Sequence, residues 1–469
     1  MSTASTTDLY EVTMALSYLA EGMTEPATFD LFVRDLPDDR GFLVAAGLEP
    51  ALDYLSGFRV TREDVEAFAA VLHRPAAELE PLLGLEFTGG VRAVPEGRIV
   101  LAGEPLLEVT APLPQAQLVE TYLLNLVSHQ TMIASKAARC VLAADGRPLV
   151  DFSLRRTHGV QAGMQVARLG ALVGFAATSN VAAAVAYGIA ASGTMAHSYV
   201  EVFPSEEAAF RAFARSHPGP VTFLVDTYDT EQGLTTAARV LRELGLGPGC
   251  AVRLDSGDLA ALAVRARQIL DDAGLPLVRI VASGGLDEYA VDDLVGAGAP
   301  IDVFAVGTRV GVSADSPYLD TAYKLVAYRG QPEMKLSAAK MTLPGPKQVF
   351  RRPGYEDVIA LRDEPPPPDG EPLLLPAMAD GRRTREPSPV TDARQRFAAD
   401  LAGLPPAARR IHHPEPPHAT LSEALTALTG RVRHRIEEDV VGAHRRPAPR
   451  EYVPRPAGRR PGDGGGRAP

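Results

Sequence analysis

The chain has 469 residues, 46% of them hydrophobic and 22% charged, with a formal net charge of −11 at pH 7. That is room for about three average domains, and the acidic balance excludes a non-specific nucleic-acid surface, which needs a basic face, while leaving room for an anionic small molecule held by local arginines. The two cysteines, Cys140 and Cys250, lie far apart without CxxC spacing, which excludes a disulfide framework or a cysteine zinc site and suits a reducing cytoplasm.

The first predicted element is a helix. Asp8 followed by Glu11 fits a capping box, and Leu9, Val12, Leu16 and Leu19 share one face. Tyr10 lies off that stripe. The opening MSTASTTDLY lacks a basic stretch followed by an apolar core, so no signal peptide is expected. No uninterrupted apolar run is long enough to span a bilayer, and a cytoplasmic protein is the expectation.

Residues 27–33 alternate like a strand, 41–47 form a glycine-bounded apolar run, and 50–83 read as helical with turns at Pro75 and Pro81. From Phe87 to Val109, short apolar runs alternate with Gly-Gly, Pro-Glu-Gly and Gly-Glu-Pro turns, as between β-strands. A long helical pattern covers 115–144. Residues 1–145 therefore read as an N-terminal α+β domain.

The rhythm then changes to strand–loop–helix units, with strand candidates at 149–153, 173–177, 190–195, 221–226, 251–255, 278–283 and 301–306. Strands alternating with helices predict a parallel sheet. Seven in succession predict closure into an irregular TIM-like α/β barrel over 146–328, with function gathered at the C-terminal strand ends. An open doubly wound sheet is the other architecture, but no GxGxxG follows the first strand. Residues 329–440 form a C-terminal segment expected partly to rejoin the first domain. The Pro/Gly/Arg-rich tail, 441–469, cannot bury enough apolar surface to order itself.

The strand ends carry chemistry. Arg155 and Arg156 follow the first strand, Thr194 and His197 the third, and Asp226 the fourth. Arg253, Asp255 and Asp258 surround the end of the fifth, while Ser283-Gly284-Gly285 and Gly307-Thr308 end the last two. In the final βα loops of a barrel, such glycine turns offer backbone N–H groups to a phosphate. Arginines supply a planar fork of donors for carboxylate or pyrophosphate. Asp255 and Asp258 suit ribose hydroxyls or a Mg²⁺ ion, with Asp255 or Ser256 as a helix cap the other reading. A histidine among arginines can act as acid–base or carry a phosphoryl group.

With those residues in view, the chain resembles the nicotinate phosphoribosyltransferases. The similar stretches are TDLYEVTMA at 7–15, FVRDLP at 32–37, LLNLVSHQTMIASKAAR at 123–139, DFSLRRTHG at 151–159, GFAATSNV, SGTMAHSYVEVF, VDTYDTEQG, VRLDSGDL, ASGGLDEY, VFAVGTRVGVSADSPYLDTAYKLV and KMTLPGPKQVF. They run to about residue 351, with weaker similarity to about 435. The resemblance implies an ATP-coupled glycosyltransferase (a ligase) of NAD biosynthesis and salvage that joins nicotinate to 5-phosphoribosyl-1-pyrophosphate with Mg²⁺, in a homodimer with shared active sites. It implies that His197 is the phosphohistidine, that Tyr10 (from the partner subunit) and Thr194 contact nicotinate, and that Arg253 takes its carboxylate. Arg155 and Arg156 would face pyrophosphate or carboxylate, and Gly307 and Thr308 the sugar phosphate. Ser153 stands where the family has glycine, and Thr157-His158 where it has Ala-Gln, changes expected to touch the pocket wall.

Rival readings make other demands. Nicotinamide phosphoribosyltransferase needs an acceptor such as Asp226 for the amide, and quinolinate phosphoribosyltransferase needs extra cations and no phosphorylated His197. A non-catalytic pyridine-nucleotide sensor has no use for His197. An aldolase-like barrel calls for a strand-end lysine, and none of the seven strands has one.

Overall fold

In the computed structural model, which describes residues 3–337 and 341–441, two kinds of apolar pattern give two kinds of sheet. Runs that are apolar on both faces build a parallel sheet of six strands. Their order is Ala177–Thr178, Leu149–Asp151, Val303–Val306, Arg279–Ala282, Ala251–Leu254, Thr222–Leu224. Every residue of Ala251–Leu254 and Val303–Val306 is buried, and on one face Val150, Ala177, Val303 and Ala305 from neighbouring strands form a small apolar cluster of their own.

The expected seven-stranded closed barrel is not what forms. The third strand, placed at 190–195, shrinks to a single parallel bridge from Ala191 to Thr178. Two hydrogen bonds hold it: Thr178 N–H donates to the Ala190 carbonyl at 3.0 Å, and Ser192 N–H to the Thr178 carbonyl at 2.9 Å. Among the described residues no pairing joins this bridge to Thr222–Leu224, so the sheet is a curled half-barrel with an open seam. The cause is compositional. Ala190, Ala191 and Gly193 are small and exposed, and a segment with little apolar area gains little from pairing.

The second strand also shifts. Helix Val160–Val173 runs through the residues expected to begin it, and Gly174, at φ 117°, stops that helix in a left-handed cap. Only Ala177–Thr178 remains as strand. A short apolar run next to a helix carries no period that separates the two states.

Alternating runs build a seven-stranded antiparallel sheet. Its order is Gln331–Pro332, Thr321–Tyr328, Pro26–Val33, Pro105–Pro112, Gly90–Ala93, Leu375–Ala379, Arg382–Arg383. Chain from beyond residue 329 thus returns beside the N-terminal strands. A separate four-stranded sheet orders Glu371–Pro372, Lys347–Arg351, Val358–Leu361 and Thr420–Leu421. Buried charges join the two: Lys347 Nζ donates to Asp30 at 2.8 Å, and Lys347 N–H to Glu108 at 2.6 Å.

The long helix Glu120–Ala143 ties the sheets together. Its Lys136 lies 2.5 Å from Glu288 and 3.0 Å from Asp315, while Arg139 lies 3.1 Å from Glu288. Arg40 meets Asp315 at 3.0 Å. All are nearly or fully buried, and charges out of water are tolerated only when paired this way.

The capping box expected at the first helix, Leu9–Ala20, does not form: Asp8 makes no side-chain cap bond. Glu11 accepts instead from Thr121 N–H at 2.9 Å, joining this helix to the long one. The expected tail lies outside the described residues except for Val441. No helix among the described residues is long and apolar enough to cross a membrane.

Candidate active site

The site begins with a charge that its strand cannot hide. Ala251–Leu254 is buried throughout, so Arg253 must be satisfied near the strand's C-terminal end. Arg253 Nε donates to Ser283 Oγ at 3.0 Å, and Nη1 donates to Thr194 Oγ1 at 2.5 Å and to the Met195 carbonyl at 3.3 Å. Nη2 lies 3.3 Å from Asp255 Oδ1. The guanidinium carbon sits 5.7 Å from the centre of the Phe152 ring. Three strand ends and the Thr194–Met195 segment therefore fix one guanidinium and hold its charge in a single orientation for an anionic group.

Two adjoining cavities share Arg253. The larger, about 420 Å³, is lined by Phe152, Leu154, Arg155, Ser179, Thr194, His197, Arg253 and Asp255, with backbone from Gly193 to Ala196. The smaller, about 140 Å³, is lined by Arg155, Arg156, Ser283, Gly284, Gly285, Gly307 and Thr308 as well as Phe152, Arg253 and Asp255. Residues scattered from 152 to 308 meet there because a parallel sheet brings all its C-terminal ends to one edge.

Each wall has a local cause. Gly284 takes φ +92°, and a Cβ on it would lie 1.9 Å from the Asp255 carbonyl oxygen; only glycine lets the two turns close. Thr308 opens a single helical turn, Thr308–Gly311, so any anion there is held by individual N–H and hydroxyl donors. Asp151 fixes the floor, accepting from Thr178 Oγ1 at 2.7 Å and from Ser153 N–H at 2.9 Å.

His197 begins the short helix His197–Glu201. Its Nδ1 is 3.2 Å from Thr227 Oγ1, and its Nε2 is 3.9 Å from Asp255 Oδ2. The ring is 40% exposed on the side-chain scale, accessible from the larger cavity. Asp255 also accepts a short hydrogen bond from Ser283 Oγ.

The remaining expected residues divide. Asp226 lines neither cavity; it accepts Asp255 N–H at 3.0 Å and Ser256 Oγ–H at 2.7 Å, which shapes the turn that aims Asp255. Asp258 also lines neither cavity; its Oδ1 caps helix Leu259–Asp272 by accepting Ala261 N–H at 3.1 Å. Tyr10 lies in a third cavity of about 400 Å³ with Asp8, Asn125, Ser128, His129 and Tyr318. Burial, with Glu120, Glu11 and Asp8 nearby, pushes its hydroxyl up, so it stays a neutral phenol. Ser153 is buried with its Cβ against Gly311, and His158 is exposed; contrary to expectation neither lines either of the two Arg253 cavities, nor does Thr157.

Phe152 is the residue that the sequence reading left inside the strand at 149–153. It lines both cavities. Its signal was position: one residue past the end of Leu149–Asp151 and three before Arg155.

Comparison with known proteins shows the family. Three family models match in order: the nicotinate phosphoribosyltransferase N-terminal domain over residues 6–128, the nicotinate phosphoribosyltransferase family over 148–297, and the C-terminal domain over 364–429. One of two matching nicotinate phosphoribosyltransferases of Mycobacterium tuberculosis is 44% identical over 445 residues, covering 93% of this chain and 95% of the relative. The chain belongs to the nicotinate phosphoribosyltransferase family. The nicotinate phosphoribosyltransferase of Bacillus subtilis is 42% identical over 76% of each chain. The crystal structure of human nicotinic acid phosphoribosyltransferase superposes with a TM-score of 0.79 at 32% identity, covering 91% of this chain and 99% of that one. Membership makes the chain an enzyme, a nicotinate phosphoribosyltransferase by family, and makes the strand-end cavities the place to look for its chemistry.

Proposed function

We propose that this enzyme joins nicotinate to 5-phosphoribosyl-1-pyrophosphate, forming nicotinate mononucleotide and pyrophosphate, with ATP consumed through His197. The observation that carries the reading is Arg253, fixed by three strand ends and the Thr194 segment at the junction of a larger and a smaller cavity. In this reading the pyridine ring packs on Phe152, its carboxylate takes the Arg253 fork with Thr194 beside it, and the sugar phosphate sits on the Gly284–Gly285 and Gly307–Thr308 turns. Ser283 and Asp255 hold the ribose side.

The chemistry asks little acid–base work of the protein. The pyridine nitrogen forms its bond to the anomeric carbon as the bond to pyrophosphate breaks, and the electron pair leaves with the pyrophosphate. Arg155 and Arg156 are placed to meet that developing charge. A Mg²⁺ ion fits this donor set through substrate oxygens and the Asp255 carboxylate, in keeping with the ion's habit of keeping few protein ligands; Asp258 lines neither cavity and caps a helix with one oxygen. When bound, the ion would neutralise pyrophosphate charge.

His197, exposed to the larger cavity with Thr227 on Nδ1, leaves Nε2 free to accept a phosphoryl group from ATP. The phosphate adds up to two negative charges beside the arginines, and its hydrolysis removes them, which couples ATP to their arrangement. Tyr10 enters as the partner's contribution: it lies in a separate cavity of its own chain, so a homodimer that shares sites brings it to nicotinate. The cytoplasm, where nucleotide salvage is supplied with ATP, is the compartment this implies.

The test is product formation by purified protein with Mg²⁺ and phosphoribosyl pyrophosphate, offering nicotinate, nicotinamide or quinolinate, with and without ATP. Mononucleotide from nicotinate, accelerated by ATP, is expected. Turnover of the amide in preference to the acid would overturn the role given to Arg253.

A further inference from the structure

The two glycine turns that frame the smaller cavity come from separate βα units and stand beyond the last paired residues of their strands. Strands Arg279–Ala282 and Val303–Val306 share only two register pairs, Val281 with Val303 and Ala282 with Phe304. On the N-terminal side of those rungs Ile280 N–H donates to Asp302 Oδ2 at 2.7 Å and Asp302 N–H to the Ile280 carbonyl at 2.9 Å; on the C-terminal side, where the turns lie, Arg309 Nη1 donates to Asp287 Oδ2 at 2.8 Å. Asp287 follows Gly285 by two residues, and Arg309 follows Thr308 directly. Neither side chain lines the cavity.

Asp287 is well placed to transmit position. It is 6% exposed, and its other oxygen, Oδ1, accepts Ala290 N–H at 3.0 Å, capping helix Glu288–Gly296. The next residue, Glu288, is fully buried between Lys136 and Arg139 of the long helix. One turn is therefore anchored to the molecule's buried charge network, and the Gly307–Thr308 turn is tied to it through Arg309.

We infer that Asp287 and Arg309 are positioning residues: their ion pair sets the separation of the two phosphate-binding turns and so governs affinity for the phosphoribosyl substrate. The inference rests on the function proposed above. Arg309 also neutralises a carboxylate that would otherwise stand behind an anion site.

The test is calorimetric binding of 5-phosphoribosyl-1-pyrophosphate with Mg²⁺ to the full chain as wild type, Asp287→Asn, Arg309→Gln, Arg309→Lys and the Asp287→Asn/Arg309→Gln double variant, alongside turnover. Each neutral single variant is expected to bind about fivefold more weakly, the scale of a half-exposed ion pair. Arg309→Lys should recover part of that loss. Nicotinate affinity should stay within about twofold, and the double variant should be no weaker than the worse single one. Unchanged binding in both single variants would overturn the inference. So would a loss in Arg309→Gln without one in Asp287→Asn, since that would make Arg309 a direct contact. Wild type that binds phosphoribosyl pyrophosphate without forming mononucleotide would overturn the proposed reaction while leaving the clamp to be judged by the affinities. Wild type that does not bind it would overturn both.

Discussion

At the scale of single residues, the site is a set of side chains whose freedom has already been spent on one another. Arg253 has partners on Nε, Nη1 and Nη2 before any substrate arrives, so Arg253→Lys should keep the charge and lose the fork. We expect kcat/KM for nicotinate to fall about 10- to 100-fold, the range for one charge-assisted pair, and steady-state kinetics would detect it. His197→Ala should abolish ATP stimulation and leave slow, ATP-independent product formation; a variant still stimulated by ATP would remove the histidine from the coupling. Gly284→Ala introduces a Cβ at 1.9 Å from the Asp255 carbonyl in a left-handed backbone. Strain of about 1–3 kcal/mol is the scale for such a conformation even without the clash, and both the melting temperature and phosphoribosyl-substrate affinity should drop. Strand-end position made Arg155, Thr194, His197, Arg253, Asp255 and both glycine turns legible in the sequence. It failed for Asp258, because Asx residues at a strand–helix junction serve equally as caps, and for Phe152, because an apolar residue after an apolar strand reads as part of that strand.

At the scale of elements, apolar periodicity found the strands whose neighbours bury them on both faces and misjudged the two that lack such cover. Val303–Val306 and Ala251–Leu254 are deep in the sheet and fell where expected. The 173–177 and 190–195 segments did not, since one ran on from a helix and the other offered mostly small side chains. Burial depends on what lies across the sheet, and that information is non-local. The charged joint between the seven-stranded and four-stranded sheets was also invisible, being assembled from Asp30, Glu108, Lys347 and Arg362. Burial, with Asp30 adding its charge, raises Glu108 to about 7. The folded state thus holds a proton that the unfolded chain releases near its ordinary carboxyl pKa, so Glu108's contribution to stability weakens as pH rises from about 4.5 to about 7. Melting of wild type and Glu108→Gln from pH 5 to 8 should show the variant gaining relative to wild type as pH rises; parallel curves would refute that titration.

At the scale of the whole molecule, the cavities around Arg253 and the one holding Tyr10 are separate, and this separation makes the shared-site proposal testable without a structure of the assembly. Tyr10→Ala and Arg253→Ala proteins, each impaired alone, should recover activity when unfolded together and refolded. Random pairing yields about half mixed dimers, each with one intact site of two, so about a quarter of wild-type activity is expected. Absence of recovery would place Tyr10 outside the partner's site.

The open seam of the half-barrel has a consequence for motion. Thr194 and His197 follow a segment attached to the sheet by one bridge and two hydrogen bonds, whereas Arg253 and Ser283 rise from strands locked on both sides. Local opening free energies follow such differences in cover and hydrogen bonding. Amide hydrogen exchange should therefore be fast across residues 189–196 and slow across Val303–Val306. The histidine then rides on the region of the sheet that breathes most readily, while the arginine it works beside stays still.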